Sequence, residues 1–146
     1  MLLRSSSKAR DVPCLYNYLN WLEKAFVIYR CQRYDLRVKS VLKTQEKFYL
    51  ADTSLKYCIM GFNPKSIAAM LENIVYFELR RRGYEVYIGK NETKEIDFVA
   101  VRRDERIYFQ VCRRLPEESD REVANLLEIN GVKIVHLADF LLSGEY

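Results

Sequence analysis

The sequence contains little of what zinc, redox, membrane and secreted proteins usually require. It has one His and four widely separated Cys, so close Cys/His pairs are missing. No apolar run approaches the roughly 20 residues of a membrane helix. The first ten residues are polar and basic, without the apolar core of a signal peptide. These absences predict a cytoplasmic protein with reduced thiols and no membrane association.

Apolar residues make up 49% of the chain, and its eleven Tyr add to a composition typical of a globular protein. The charge is uneven. Residues 1–65 carry twelve Lys and Arg against five Asp and Glu, whereas residues 66–146 carry twelve against fifteen. A basic front half favours a polyanion such as duplex DNA, with a solvated basic face as the alternative. The candidate phosphate contacts are Lys24, Arg30, Arg33, Arg37, Lys39 and Lys43.

The front half predicts a helix followed by a β-hairpin. Apolar residues recur at helical spacing from Leu15 to Phe26, after a cap and first-turn pair at Asp11 and Pro13. Val27–Tyr34 and Lys47–Leu50 are rich in β-branched and aromatic residues, and a basic stretch over 37–43 separates them. A helix followed by such a hairpin is typical of the second half of a winged helix-turn-helix.

The back half predicts an α/β domain. Ser66–Arg82 has strong helical periodicity and ends at Gly83, a favourable residue after a helix. Beyond it we expect an antiparallel meander, a helix, a buried strand and a short helix. Their ranges are Tyr84–Ile88, Glu95–Val101, Ile107–Cys112, Pro116–Glu128, Val132–His136 and Ala138–Leu142. This order is that of a restriction-endonuclease-like core, a mixed sheet flanked by helices.

Three short strings occur in order: KFYLAD from Lys47, LEN from Leu71 and EIDF from Glu95. With their surroundings they closely resemble the C-terminal region of predicted prokaryotic AAA+ ATPases. In that family a winged helix and then a domain of unknown function follow the ATP-binding module. The resemblance implies a partial winged-helix segment over 1–62 and a restriction-endonuclease-like domain over 63–146. The loop G-x-x-x-x-G-K-[ST] is absent, so ATP would bind only to a module that this sequence lacks.

The resemblance also places a nuclease motif. Nucleases of the PD-(D/E)xK class hold Mg²⁺ with an Asp and a Glu, and a Lys two residues later assists the chemistry. The corresponding residues are Asp97, Gln110 and Cys112, with Glu72 as the helical carboxylate. Gln110 can still offer an oxygen to a metal ion, but the thiol of Cys112 cannot supply positive charge. The catalytic set of Glu72, Asp97 and Gln110 is therefore degenerate, and a buried structural carboxylate is the alternative interpretation of Asp97.

Three functions follow as hypotheses. The preferred one is a non-catalytic accessory module of an AAA+-type ATPase that binds DNA or assembles with itself or another protein. The first alternative is a Mg²⁺-dependent nuclease in which Asp97 and Gln110 bind the metal. The second alternative is a domain for protein–protein interaction alone.

Overall fold

The computed structural model describes residues 11–92, 94–111 and 137–143. The helices are α1 (Asp11–Lys24), α2 (Ser54–Met60), α3 (Ile67–Arg81) and α4 (Leu137–Leu142), with a 3-10 turn at Pro64–Ser66 before α3. The strands are β1 (Ile28–Asp35), β2 (Ser40–Leu50), β3 (Glu85–Asn91), β4 (Lys94–Arg102) and β5 (Glu105–Phe109). Cys112 and the helix and strand predicted over 116–128 and 132–136 lie outside the described residues.

The described strands form one sheet in the order β2-β1-β3-β4-β5. Neighbouring strands are antiparallel except β1 and β3, which run parallel with Arg33 opposite Ile88. This mixed sheet with helices confirms the predicted fold class, including the helix and hairpin at the front of the chain. Because β1 pairs with β3, the segments predicted as 1–62 and 63–146 share a single sheet.

The core lies between α3 and the sheet. Helix α3 contributes Val75, Tyr76 and Leu79 to the buried cluster, which continues through Phe98 of β4. The ring of Tyr76 stacks on that of Tyr49 at a centroid distance of 4.3 Å. Burial of side chains of this size contributes about 1.5–3 kcal/mol each, so this layer fixes α3 over the sheet.

The hairpin differs from its prediction in one respect. The second strand was expected to begin at Lys47, after the basic stretch over 37–43, but β2 already begins at Ser40. The Asp35 carboxylate accepts hydrogen bonds from the backbone N–H groups of Arg37 and Val38, at 2.9 and 3.1 Å. This side chain closes a tight turn, so the chain reverses earlier than the basic composition indicates. The predicted start of the second strand at Lys47 is therefore wrong.

Candidate functional site

A β-bulge in β4 brings the predicted Asp to the α3 side of the sheet. The pairing of β3 with β4 passes from Tyr87–Val99 to Gly89–Ile96. Asp97 and Phe98 together therefore oppose Ile88 alone, which is the pattern of a bulge. Bulges redirect side chains and recur beside active sites. Here Phe98 is fully buried under α3, and Asp97 lies close enough to Glu72 of α3 for the two charges to interact.

Asp97 is buried, with 8% of its surface exposed. Its Oδ2 accepts a 2.7 Å hydrogen bond from the Val111 N–H. The side-chain oxygen of Gln110 accepts from the Asp97 N–H at 3.4 Å, so these two predicted residues are neighbours. Burial raises the pKa of Asp97 to about 6, since desolvation disfavours the carboxylate; the negative charge of Glu72 adds to this rise. A buried acid with such a pKa marks a candidate functional site.

Two cations complete the cluster. The Lys47 ammonium lies 2.5 Å from Glu95 Oε1 and 3.6 Å from Glu72 Oε2. Arg33 contacts the other Glu95 oxygen at 2.6 Å. Burial lowers the pKa of Lys47, but Glu95, Glu72 and Asp97 outweigh that effect and raise it overall. We call Arg33, Lys47, Glu72, Glu95 and Asp97 the charged cluster.

Lys47 is the residue that sequence reasoning missed. The PD-(D/E)xK pattern places the Lys two residues after the second acid, which is the position of Cys112 in this sequence. Lys47 comes instead from β2, and only the docking of the hairpin brings it to Glu72 and Glu95. A signal was present, since KFYLAD, LEN and EIDF contain Lys47, Glu72 and both acids of β4. In the structure, the three strings come together at the charged cluster.

Two neighbouring side chains support the charged cluster. The Asn73 amide donates to the Leu50 carbonyl and accepts from the Leu50 N–H, both at 2.9 Å, which fixes α3 to β2. Tyr49 is buried, and its hydroxyl has no hydrogen-bond partner among the described residues. Burial raises the pKa of Tyr49, and the charges of Cys31, Glu72 and Asp97 act in the same direction.

The six residues predicted to contact phosphate do not share one face in the described ranges. Arg30 pairs with Glu46 and lies over the Phe48 ring, whereas Arg33 joins the charged cluster. Arg30 thus contacts Glu23 and Asn20 of α1, whereas Arg33 contacts Glu95 of β4, so the two arginines lie beside different elements. Arg37 is exposed beside Glu92, and Lys24 and Lys39 are also exposed. The backbone of Lys43 lies in β2, but its side chain is outside the described part of the structure.

The described cysteines differ in burial. Cys31 is buried, and burial raises its pKa to about 12, which fits a structural thiol; Cys14 and Cys58 are exposed.

In the ranges that the structure describes, no three His, Cys, Asp or Glu side chains are grouped so that they could hold a metal ion. The same ranges contain no helix with both the length and the apolar character of a membrane span.

Comparison with known proteins finds relatives of unknown role. Residues 6–66 match the family model described as "Domain of unknown function (DUF8612)". An uncharacterized protein of Haemophilus influenzae is 39% identical over 144 residues, covering 86% of this chain and 36% of the relative. An uncharacterized protein of Methanocaldococcus jannaschii is 30% identical over 127 residues, covering 84% and 28%. No solved structure matches. The chain thus spans about a third of the length of the curated relatives that it matches.

Proposed function

We propose that this chain is an accessory module of a larger AAA+-type ATPase and that it acts by docking against protein. The resemblance of its three strings to the C-terminal region of such ATPases supports the first part. The relatives' greater length is consistent with further modules. The choice of protein over DNA rests on the surface of the described residues.

An exposed apolar face on α1 and α2 is the observation that carries this choice. On α1 and just beyond it, Trp21 is 61% exposed and Phe26 is 69% exposed. On α2, Ile59 is 83% exposed. We call these residues, with their neighbours, the apolar face; the neighbours are Leu15, Tyr18, Leu22, Leu55, Met60 and Phe62. Within α1 the Tyr18 and Trp21 rings are in contact at a centroid distance of 5.4 Å. Exposed large apolar side chains that occur in groups mark protein interfaces.

DNA binding has less support. Arg30 holds α1 in place by contacting Glu23 at 3.0 Å and Asn20 at 2.7 Å. Arg33 is engaged by Glu95. A side chain committed to an internal carboxylate must break that pair before it contacts a phosphate, so two of the six predicted contacts are weakened.

Sedimentation of the chain with a binding partner tests the docking proposal. The partner is the part of the Haemophilus influenzae relative outside the matched region, expressed separately. We expect a complex whose formation is lost in Leu15→Asp, because a charge on the apolar face must be desolvated on docking. Leu142→Asp is the matched control, since this leucine is 85% exposed on α4.

Three outcomes are informative. A complex that forms equally well with Leu15→Asp would contradict docking through the apolar face. If the chain alone self-associates and Leu15→Asp abolishes this, the partner at the apolar face is a second copy of the chain and not the ATPase part. Salt-sensitive binding to duplex DNA, lost in Arg37→Ala and unaffected by Leu15→Asp, would return the function to nucleic acid.

Metal-dependent phosphodiester hydrolysis is a second candidate, favoured by the position of Lys47. Its ammonium lies beside Glu72 and supplies the positive charge that Cys112 cannot. Glu72, Asp97 and Gln110 all offer oxygen atoms, which Mg²⁺ prefers, and the ion would polarise the phosphate and activate water. Lys47 would then stabilise charge developing on the phosphate oxygens.

Cleavage assays with duplex DNA and Mg²⁺ or Mn²⁺ test this candidate. Activity should disappear in Asp97→Asn and in Lys47→Met. It should persist in Lys65→Met, which makes the same chemical change at an exposed lysine outside the charged cluster. Absence of cleavage by the unmodified chain under all of these conditions would rule the candidate out for this chain.

A further inference from the structure

A cavity opens between β1 and β3 where the pairing of these strands stops. The two strands run parallel, and within the described residues their ladder joins 33–35 to 88–90 and goes no further. On the N-terminal side of the ladder, the Cys31 thiol bridges the strands by contacting the Val86 carbonyl at 3.3 Å. The space beside this bridge has a volume of about 200 Å³, and its lining includes Arg30, Gln32, Arg80, Tyr84, Glu85 and Tyr87.

The two arginines of this cavity differ in their partners. Arg30 forms salt bridges with Glu23 and Glu46 at 3.0 and 3.1 Å, whereas Arg80 forms none within the described part of the chain. The Arg80 guanidinium donates to the Tyr76 hydroxyl at 3.0 Å and lies over the Tyr29 ring, 5.4 Å from its centroid. Neither contact neutralises its charge. Arg80 is therefore a fixed cation that still has N–H groups for an anion.

The size and charge of the cavity select the class of ligand. Pockets for drug-sized ligands hold about 300–1,000 Å³, so this smaller space fits a small molecule. A guanidinium binds a planar oxyanion through two parallel N–H groups. Because Glu85 also lines the cavity and repels negative charge, a singly charged carboxylate is favoured over a doubly charged phosphate. The rings of Tyr84 and Tyr87 offer aromatic surface to the rest of the ligand.

We propose that this cavity binds a small carboxylic acid with a flat apolar body and that Arg80 is its anchor. The Gln32 amide lines the same cavity and donates a further hydrogen bond to the carboxylate. Tyr76 is a positioning residue, because its buried hydroxyl accepts from Arg80 and contacts the Arg30 carbonyl at 3.5 Å. The residues of this cavity belong neither to the apolar face nor to the charged cluster. The inference is therefore independent of docking and of hydrolysis.

An NMR titration of the ¹⁵N-labelled chain with benzoate, extended to about 10 mM, is the experiment. Benzamide has the same shape without the charge, and phenyl phosphate replaces the carboxylate by a phosphate. We expect benzoate to shift the signals of Arg80 and of residues 84–87, benzamide to leave them unchanged and phenyl phosphate to bind more weakly. Shifts by benzamide equal to those by benzoate would overturn the proposal. Tighter binding of phenyl phosphate would overturn the choice of a carboxylate.

Three variants assign the binding to the cavity, with folding checked by circular dichroism. Arg80→Met should weaken benzoate binding at least about tenfold, because it removes a charge-assisted hydrogen-bonding group. Arg81→Met is the matched control and should bind like the unmodified chain, since Arg81 is 69% exposed and pairs with Glu78. Gln32→Leu changes an exposed side chain, so it should leave the fold intact and weaken binding about threefold. Benzoate binding that survives Arg80→Met, or that Arg81→Met weakens equally, would contradict the proposal.

Discussion

Two carboxylates, Glu78 in α3 and Asp97 in β4, differ in how far the protein compensates their charge. Glu78 accepts 2.7 Å hydrogen bonds from Arg81 and from Arg82, and these bonds lower its pKa to about 2. Asp97 has one backbone donor and two acidic neighbours, and burial raises its pKa to about 6. The contacts of Glu78 with the two arginines stabilise the end of α3. The second region retains a carboxylate that the fold does not fully compensate, which is the pattern of a binding site.

Two of the three arginines at 80–82 also form contacts at the end of α3. Arg80 donates to the Tyr76 hydroxyl at 3.0 Å, and Arg82 donates to the Phe140 carbonyl and lies over the Phe140 ring. Arg80 also lies over the Tyr29 ring of β1, and Arg82 reaches α4, so both side chains join α3 to neighbouring elements.

The largest expected effect is the loss of the link between α3 and β2. Asn73→Leu leaves the Leu50 N–H and carbonyl without their partners, because that amide bonds both. We expect the free energy of unfolding to fall by about 2–4 kcal/mol in urea denaturation. Asn63→Ala is the control, since it removes one exposed cap contact to Lys65 and should cost about 1 kcal/mol or less. Equal losses would show that Asn73 does not join the two elements.

Asp97→Asn is expected to stabilise the metal-free protein. The folded-state pKa of about 6 exceeds the ordinary value of 3.8, so the folded protein binds this proton more tightly than the unfolded chain. Stability therefore falls as the pH rises from about 4 to 6, and the neutral amide avoids that loss. Above pH 6 we expect a gain of about 2 kcal/mol in urea denaturation. A variant less stable than the unmodified chain at pH 7 would contradict the assignment of Asp97 as an under-compensated acid.

Glu78→Gln should show the opposite pH dependence. The pKa of Glu78 is lowered to about 2 from 4.5, so its stabilising effect is complete above about pH 4.5 and is lost as the pH falls toward 2. At pH 7 we expect a loss of about 1–2 kcal/mol, because Arg82 is largely buried and loses its carboxylate. Melting curves at pH 7 and pH 2 measure this. A deficit that persists at pH 2 would show that the ion pairs are not its source.

The smallest effects distinguish two arginines near the turn of the hairpin, Arg33 and Arg37. Arg37 and Glu92 are 68% and 63% exposed, so Arg37→Met should change stability by less than about 0.5 kcal/mol. Arg33 is only 16% exposed and contacts Glu95, so Arg33→Met should cost about 1 kcal/mol. Urea denaturation of the two variants compares them directly. Equal losses would mean that burial does not distinguish these pairs.

Local patterns in the sequence predicted the local elements. The periodicity of α1 and α3, the short helix α4 and the meander of β3, β4 and β5 are confirmed. Helix α2 was not predicted, because its seven residues are too few for periodicity to stand out. The parallel pairing of β1 with β3 was not foreseen either, since no local pattern specifies a partner about 55 residues away.

The predicted residues of the candidate site all come from the segment 63–146. Glu72, Asp97 and Gln110 came from the resemblance, and in the structure the Gln110 side chain contacts the Asp97 N–H. Lys47, Arg33 and Tyr49 depend on where the hairpin docks, which is a tertiary property. The sequence could not predict that the apolar face is exposed, because helical periodicity indicates an apolar side but not what covers it.

The fluorescence of Trp21, the single tryptophan of the chain, tests docking through the apolar face most directly. It lies on that face with 61% of its surface exposed. The titrant is the unmatched part of the Haemophilus influenzae relative in a form with its own tryptophans replaced. We predict that its addition moves the Trp21 emission to shorter wavelength and protects it from acrylamide quenching. Unchanged emission and quenching in a sample shown by sedimentation to contain the complex would contradict the account.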